Sequence, residues 1–200
     1  ARAIENAVRS GDVDTLRQLL AGDRRPPIPG PSLIDAVTRH NAKSARITRL
    51  LIEHGANVNH AISNFSPLFA AVMVGSPPEV VRLLLSNGAD ANYIFPREYG
   101  NANHLKYAYM RPLHMACQTG ELEHARLLID PGADVNAPGC LASIYSVPIA
   151  SAAFHGHLAI VRLLLDRGAQ VDSLNHFGET ALHHASSHGN EAIVRLLLDR

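Results

Sequence analysis

The stretch Ile160–Asp172, IVRLLLDRGAQVD, recurs along the chain with small changes. Its copies are ITRLLIEHGANVN at Ile47–Asn59, VVRLLLSNGADAN at Val80–Asn92 and HARLLIDPGADVN at His124–Asn136. Their Gly-Ala pairs are spaced by 33, 44 and 36 residues, measured between Gly55, Gly88, Gly132 and Gly168. A period of this length indicates an internal repeat in which each unit packs on its neighbours.

Each unit is predicted to contain two short helices. In the quoted stretch, the apolar residues recur at helical spacing and form one stripe, which Leu163 widens: Ile160, Val161, Leu164 and Leu165. A helix pair of this length cannot bury such a stripe alone, so the stability is expected to come from neighbouring units. One position in the first helices is always small, which lets adjacent helices approach closely: Ala71, Ala116, Ala152 and Ala185.

The first unit is predicted to have helices at Ala3–Arg9 and Val13–Leu20, with Gly11 ending the first and Asp12 capping the second. Four prolines at positions 25–31 predict a stiff, extended spacer, although such a segment can also be a partner ligand. The next first helix is predicted at Leu33–His40, with Asn41 in the turn. Pro131 predicts an early end to the helix before Gly132.

The combination of motifs resembles the ankyrin repeat. Its pattern is Thr-Pro-Leu-His-x-Ala, then Gly, then Val-x-x-Leu-Leu-x-x-Gly-Ala-Asp-Val-Asn, and it is matched clearly at Arg111–Asn136. The resemblance implies an all-α ankyrin-repeat solenoid, a single domain over residues 1–200, with β-turn or hairpin fingers projecting from stacked helix-turn-helix units. The implied repeats span roughly residues 1–24, 32–59, 60–92, 93–136, 137–172 and 173–200.

The last unit stops before its Gly-Ala pair, which leaves one side of its apolar residues uncovered: Ile193, Val194, Leu197 and Leu198. Because a repeat array needs a polar terminal unit, we expect the full protein to continue beyond Arg200.

The finger Tyr93–Met110, YIFPREYGNANHLKYAYM, is about eleven residues longer than its counterparts and holds four of the five tyrosines. Tyr145 lies in the next enlarged finger, at residues 137–147. Aromatic residues on long loops are typical of protein interfaces. The alternative is an insertion that folds its tyrosines back onto the scaffold.

The histidines invite a metal interpretation, which the pattern disfavours. His114 and His183 fall on the Leu-His position of the repeat, where the side chain is expected to brace the preceding turn. No acidic or cysteine partner lies at ligand spacing, so no metal or other cofactor is expected. His184 and His188 are expected at a contact surface instead.

Other chemistry is also disfavoured. The sequence has no nucleophile elbow, phosphate-binding loop or carboxylate pair, and Cys117 is expected to be buried and inert. The formal net charge of zero argues against nucleic-acid binding. No apolar run approaches the roughly 20 residues needed to cross a membrane. With two cysteines and no disulfide framework, we expect a cytoplasmic or nuclear protein.

The sequence therefore predicts a non-catalytic scaffold that binds a protein or peptide partner. The alternative is a substrate-recognition or regulatory arm of a larger protein, such as a ubiquitin-ligase adaptor or an enzyme fusion. The expected contact residues lie in the fingers and on the concave face that the first helices form by resemblance: Tyr93, Phe95, Arg97, Tyr99, His104, Lys106, Tyr107, Tyr109, Met73, Met115, Gln118, Thr119, Tyr145, Phe154, His155, His184 and His188.

Overall fold

The computed structural model describes residues 2–21, 27–39, 43–95, 109–139, 147–175 and 177–200. Twelve α-helices lie in these ranges, and the only β-type pairing within them is an isolated bridge between Ile62 and Phe65. The chain forms two compact units, Ala1–Asp90 and Ala91–Arg200. The all-α class predicted from the sequence is confirmed.

The unit Ala1–Asp90 contains three helix pairs. Each first helix packs on the next first helix and each second helix on the next second helix, so the helices form two layers. Within a pair the two helices also pack on each other. In chain order they are α1 (Arg2–Ser10), α2 (Val13–Ala21), α3 (Pro31–Val37), α4 (Ser44–Glu53), α5 (Pro67–Met73) and α6 (Pro78–Ser86).

The unit Ala91–Arg200 repeats this arrangement. The first helices α7, α9 and α11 pack side by side, and the second helices α8, α10 and α12 form the other layer. Their bounds are α7 (Pro112–Thr119), α8 (Leu122–Ile129), α9 (Pro148–Phe154), α10 (Leu158–Asp166), α11 (Ala181–Ser187) and α12 (Glu191–Leu198). None of the helices in the described ranges is long and apolar enough to cross a membrane.

Local sequence signals set the helix ends. Asp12 caps α2 as predicted, since its carboxylate accepts hydrogen bonds from the Thr15 N–H at 3.0 Å and the Thr15 hydroxyl at 2.7 Å. Ser66 caps α5 in the same way, accepting from the Phe69 N–H at 3.1 Å. Proline starts several of the helices, where a missing N–H costs nothing: α3, α5, α6, α7 and α9.

Two predicted boundaries were tested directly. The helix α8 ends at Ile129, one residue before the position at which α10 ends, so the predicted early end is observed. The predicted cause is not observed, because Asp130 keeps right-handed helical angles of φ −58° and ψ −41° directly before Pro131. The helix predicted at Leu33–His40 is shorter, because α3 ends at Val37 and its last turn closes on Thr38. Asn41 and the prolines before Pro27 lie outside the described residues.

Packing follows the repeat. The four small positions, Ala71, Ala116, Ala152 and Ala185, are each 0% exposed, so neighbouring first helices meet there. Along α10 the buried stripe consists of Ile160, Val161, Leu163 and Leu164, while Leu165 is only half-buried. In α12, Ile193 and Leu197 are buried, Val194 is half-buried and Leu198 is 67% exposed. The expectation of an uncovered side therefore holds most clearly for Leu198.

The turns before α6, α10 and α12 are tied to the preceding repeat. The residue after the turn glycine sends a side-chain hydrogen bond to a carbonyl at the end of the previous first helix. Asn190 Nδ2 donates to Ala153 O at 3.0 Å, and Ser76 Oγ donates to Val37 O. At Gly120, φ is +82° and a Cβ would lie 2.6 Å from the His157 ring, so both the backbone and the close approach require glycine.

Candidate interaction surface

The enlarged finger of residues 93–110 is closed at its base by the backbone. The Phe95 N–H donates to Met110 O at 2.9 Å, and the Tyr109 N–H donates to Phe95 O at 2.8 Å. Phe95 and Met110 are 1% and 2% exposed, so the base of the finger is part of the core. This base is a fixed stem from which residues 96–108 depart.

Two apolar side chains are exposed beside this stem. Ile94 is 46% exposed and Tyr109 is 38% exposed, and together with Arg111, Pro138 and Gly139 they line a groove, here called the stem groove. The Arg111 guanidinium donates a hydrogen bond to Pro138 O, which ties the stem to the following finger. Tyr93 is half-buried, and burial raises the pKa of its hydroxyl. The stem groove thus combines apolar area with an arginine on a braced backbone.

A second set of partly or fully exposed residues lies at the C-terminal ends of the first helices, here called the helix-end surface. It consists of Gln118 and Thr119 from α7, Phe154 from α9, His155 directly after α9, and His188 directly after α11. The Phe154 ring lies 4.1 Å from the His188 ring and 5.0 Å from the His155 ring, measured between centroids. These rings form one aromatic cluster across two helices.

Backbone hydrogen bonds orient the imidazoles of this cluster. Nδ1 of His155 donates to Ser151 O at 3.0 Å, and Nδ1 of His188 donates to His184 O at 3.0 Å. A carbonyl oxygen can only accept, so Nδ1 carries the proton and Nε2 is the acceptor of the neutral ring. The helix-end surface can therefore accept hydrogen bonds through two positioned imidazoles.

Three residues expected at the surface are buried. Phe95, Met115 and His184 are 1%, 3% and 4% exposed, so the expectation that they face a partner was wrong. Phe95 belongs to the stem. Met115 and His184 directly precede the small positions Ala116 and Ala185, where the adjacent first helix approaches closely. The Phe154 ring of α9, for example, lies 5.8 Å from the His184 ring.

Several expected contact residues lie outside the described residues: Arg97, Tyr99, His104, Lys106, Tyr107 and Tyr145. Met73 is half-buried at the end of α5 in the other unit. Sequence reasoning missed Leu174 and Phe177, which are 62% and 61% exposed. The signal was available, since both are apolar residues in a short turn between two repeats.

The Asn175 carboxamide organises that turn. Its Oδ1 accepts from the N–H groups of Phe177 and Glu179, both at 2.9 Å. Its Nδ2 donates to Glu179 Oε2 at 2.9 Å and to His184 Nε2 at 3.2 Å. Burial lowers the pKa of His184, Glu179 opposes that shift, and His188 and His183 add to it. The turn that carries Leu174 and Phe177 is thus held by side chains on both of its ends.

The bracing role predicted for the Leu-His histidines is confirmed. Nδ1 of His114 accepts from the Arg111 N–H at 3.4 Å, and Nδ1 of His183 accepts from the Thr180 N–H at 3.1 Å. Within the described ranges, no group of three or more histidine, cysteine or acidic side chains is placed to hold a metal ion. Cys117 is fully buried, and burial raises the pKa of its thiol, which keeps it protonated.

The turn asparagines link successive turns, because each carboxamide bridges to the backbone of the next turn. Asn59 Nδ2 donates to Gly88 O at 2.8 Å, and Asn59 Oδ1 accepts from the Asp90 N–H at 2.9 Å. Asn92 bridges in the same way to Gly132 O at 3.1 Å and the Asp134 N–H at 3.0 Å. Asn136 bridges to Gly168 O at 3.1 Å and the Gln170 N–H at 2.9 Å.

Comparison with known families agrees with this architecture. Residues 4–94 match a model of three ankyrin-repeat copies, residues 110–140 match a single ankyrin repeat, and residues 149–198 match a model of multiple ankyrin repeats. The chain belongs to the ankyrin-repeat family. Ankyrin repeats are generally protein–protein interaction modules, and proteins built from them are typically non-catalytic.

One similar protein is a latrocrustotoxin. The chain is 31% identical over 93 residues to Alpha-latrocrustotoxin-Lt1a from Latrodectus tredecimguttatus. The alignment covers 46% of this chain but only 6% of the toxin, so it concerns a small part of that protein.

Proposed function

We propose that this chain is a non-catalytic interaction module that captures a protein or peptide partner through the stem groove and the helix-end surface. The observation that carries the proposal is the pair of exposed apolar side chains, Ile94 and Tyr109, on a stem closed by two backbone hydrogen bonds. A surface that is rigid before binding loses little conformational entropy when a partner docks.

The chemistry of the stem groove favours a protein ligand. Tyrosine and arginine are enriched at the centres of protein interfaces, and tyrosine buries a large area while few rotors are frozen. Arg111 already binds Pro138 O, so its side chain is held in place before a partner arrives. Residues 96–108 add two further tyrosines to the sequence beside the stem groove, Tyr99 and Tyr107.

The helix-end surface adds polar specificity. Phe154 supplies a half-exposed ring, and His155 and His188 supply oriented acceptors beside it. Thr119 and Gln118 lie at the matching end of α7, where the side chains do not build the core. A partner that places backbone N–H groups and one apolar side chain against these residues would match the surface.

The test replaces residues 96–109 by the two-residue Ser63-Asn64 turn of the preceding finger. This graft removes the enlarged finger, including Tyr109, but keeps the Phe95 and Met110 ends. Proteins captured from a cell extract by the wild-type chain should be lost with the graft, while the melting temperature does not fall. Equal capture by both proteins would contradict the proposal.

Matched point variants refine this test. The double variant Ile94→Ser, Tyr109→Asn removes both exposed apolar side chains, and asparagine tolerates the φ of +62° at position 109. Capture should fall at least about tenfold. Leu198→Ser removes an even more exposed apolar side chain elsewhere and should leave capture unchanged.

A second candidate is a substrate-recognition or regulatory arm of a longer protein, such as a ubiquitin-ligase adaptor or an enzyme fusion. It is favoured by the small share of the toxin, 6%, that the alignment with this chain occupies. Both candidates use the same surfaces, and both place the chain in the cytoplasm or nucleus. The two candidates differ in whether the captured partner is then chemically modified. Measuring the modification of the partner with and without the full-length protein would decide between them.

A further inference from the structure

The bridging asparagines define a repeated polar slot. In each case a carboxamide donates to the carbonyl of the glycine that follows a second helix. The same carboxamide accepts from the N–H of the residue two positions after that glycine. The occupied copies are Gly88 with Asp90, Gly132 with Asp134 and Gly168 with Gln170, and all six distances lie between 2.8 and 3.1 Å. A primary carboxamide suits this slot because one planar group carries both the donor and the acceptor.

The chain contains a fourth copy of this slot, formed by Gly55 O and the Asn57 N–H. Gly55 has φ of +91°, like the other turn glycines. Among the described residues, no hydrogen bond reaches either of these two backbone groups. The asparagine that would fill the slot should come from the preceding repeat, but residues 7–40 contain no asparagine. Counting sixteen residues from Gly11, as Asn136 follows Gly120, gives Pro27, and counting seventeen, as Asn92 follows Gly75, gives Ile28.

This fourth slot opens into a pocket rather than onto a neighbouring side chain. Leu20 and Leu33, both buried, lie at its base, and Pro27–Gly30 form one wall. Gly55–Asn57, His54 and His60 complete the lining. The His60 ring lies against Gly30 so closely that a Cβ there would be 2.6 Å from Nε2. The chain thus leaves space where the other repeats place an asparagine.

The pocket has a further polar group for the second amide proton of a carboxamide. Nδ1 of His54 donates to Leu50 O at 2.7 Å, so Nε2 is the acceptor of the neutral ring. A carboxamide in the slot could therefore donate one amide proton to Gly55 O and accept from the Asn57 N–H. The same pocket holds the His54 imidazole as an acceptor for its second amide proton. A carboxylate lacks the donor and would face Gly55 O with negative charge.

We propose that this pocket binds the side-chain carboxamide of an asparagine from a partner peptide, which takes the place of the asparagine that the first repeat lacks. The bound asparagine extends the series of bridges by one step in the direction of the N-terminus. This site lies in the unit Ala1–Asp90 and does not rest on the stem groove or the helix-end surface.

The test is an NMR titration of the whole ¹⁵N-labelled chain. The probe is the hexapeptide Gly-Ala-Asp-Val-Asn-Ala, a copy of residues 132–137 capped by acetyl and N-methylamide groups. The Asn57 amide proton should move downfield and saturate. A matched peptide with aspartate in place of asparagine should bind at least about fivefold more weakly, since it loses one hydrogen bond and gains a repulsion. The amides of Asp90, Asp134 and Gln170 are internal controls, because the chain's own asparagines occupy their slots.

A variant supplies the carboxamide from within the chain. In Pro27→Asn, the Asn57 amide proton should lie downfield without peptide, and the response to the peptide should fall at least about fivefold. The wild-type titration decides the matter by itself if this variant does not fold.

The proposal is overturned by any of three results with the wild-type chain. The Asn57 amide could fail to respond, or it could respond equally to both peptides. It could also show, before peptide is added, the small temperature coefficient of an amide that is already hydrogen-bonded. The last result would mean that the chain fills the slot itself. Loss of binding to the stem groove would not affect any of these readouts.

Discussion

Two fingers of this chain have the same ends and different contents. In the first, Ile62 and Phe65 exchange backbone hydrogen bonds at 3.0 Å in both directions, around the two residues Ser63 and Asn64. In the second, Phe95 and Met110 hold the matching sequence positions, with residues 96–109 between them. Here the Phe95 N–H donates to Met110 O, but the return bond to Phe95 O comes from the Tyr109 N–H. Both pairs follow a bridging asparagine by three residues and both precede a helix-starting proline by two.

The comparison shows which parts of a finger the repeat needs and which parts can vary in length. The asparagine bridge and the proline that starts the helix place the two ends of the finger, so the chain between those ends can be lengthened without disturbing the stack. Because the entropy cost of loop closure grows slowly with length, a long insertion at this point is tolerated. Residues at the ends should therefore behave as core, and residues between them as functional surface.

The largest expected effect concerns the stem. Phe95→Ala should lower the free energy of unfolding by about 3–5 kcal/mol, because it removes a large buried ring and leaves a cavity. Urea unfolding of the full chain measures this loss. Ile94→Ala is the control, and this exposed neighbour should change stability by no more than about 0.5 kcal/mol. Similar losses for both variants would show that the stem is not part of the core.

The next prediction asks whether the asparagine bridges of the two fingers are equivalent. Asn59→Ala and Asn92→Ala should each lower the free energy of unfolding by about 1–2 kcal/mol, since each removes two hydrogen bonds between successive turns. Paired denaturation curves of the two variants make the comparison. A cost at Asn59 with none at Asn92 would mean that the enlarged finger is not held like the short one.

The graft of the Ser63-Asn64 turn in place of residues 96–109 should raise stability by about 1–2 kcal/mol. Shortening the loop reduces the entropy cost of closing it, and both grafted residues already adopt positive φ in their own finger. A higher melting temperature of the graft is the expected readout. A fall of several degrees would show that residues 96–109 make stabilising contacts, which would favour the alternative of a structural insertion.

Much of this fold could be predicted because the same sequence pattern occurs several times along the chain. The helix pairs, the early end of α8 at Ile129 and the bracing by His183 all follow from one pattern compared across its copies. The contact surface was harder to predict, because helical register alone does not report how closely the next helix approaches. Met115 and His184 were misassigned for that reason: they lie beside alanines where neighbouring helices meet.

The asparagine bridges could not be predicted for a related reason. The spacing of Asn59, Asn92 and Asn136 cannot show whether a side-chain to backbone hydrogen bond is made in the same turn or in the next one. Only the stacking of repeats decides this. The slot proposed at Gly55 and Asn57 could not be found from the sequence for the same reason, although the lack of an asparagine in residues 7–40 is plain there.

The smallest effect is expected at a third finger, in which the Asn175 side chain reinforces a backbone pair: the Asn175 N–H donates to Glu179 O at 2.8 Å. Asn175 Nδ2 donates to His184 Nε2 at 3.2 Å, a bond that requires a neutral ring. Burial lowers the pKa of His184 below its ordinary value of 6.5, although Glu179 opposes the shift; His188 and His183 reinforce it. As the pH falls through 6.5, the unfolded chain therefore binds a proton before the folded chain does. Stability is then full above pH 6.5, declines below it and becomes constant once the folded protein also binds the proton.

Melting temperatures measured from pH 8 to pH 5 should show this decline in the wild-type chain and a weaker one in His184→Gln. The glutamine can still accept a hydrogen bond from Asn175 but cannot titrate in this range. His60→Gln is the control: the loss of this exposed histidine from the unit Ala1–Asp90 should leave the pH profile of the wild type unchanged. If His184→Gln declined as steeply as the wild type, the histidine would not couple this finger to pH. The third finger would then be closed by Asn175 and Glu179 alone.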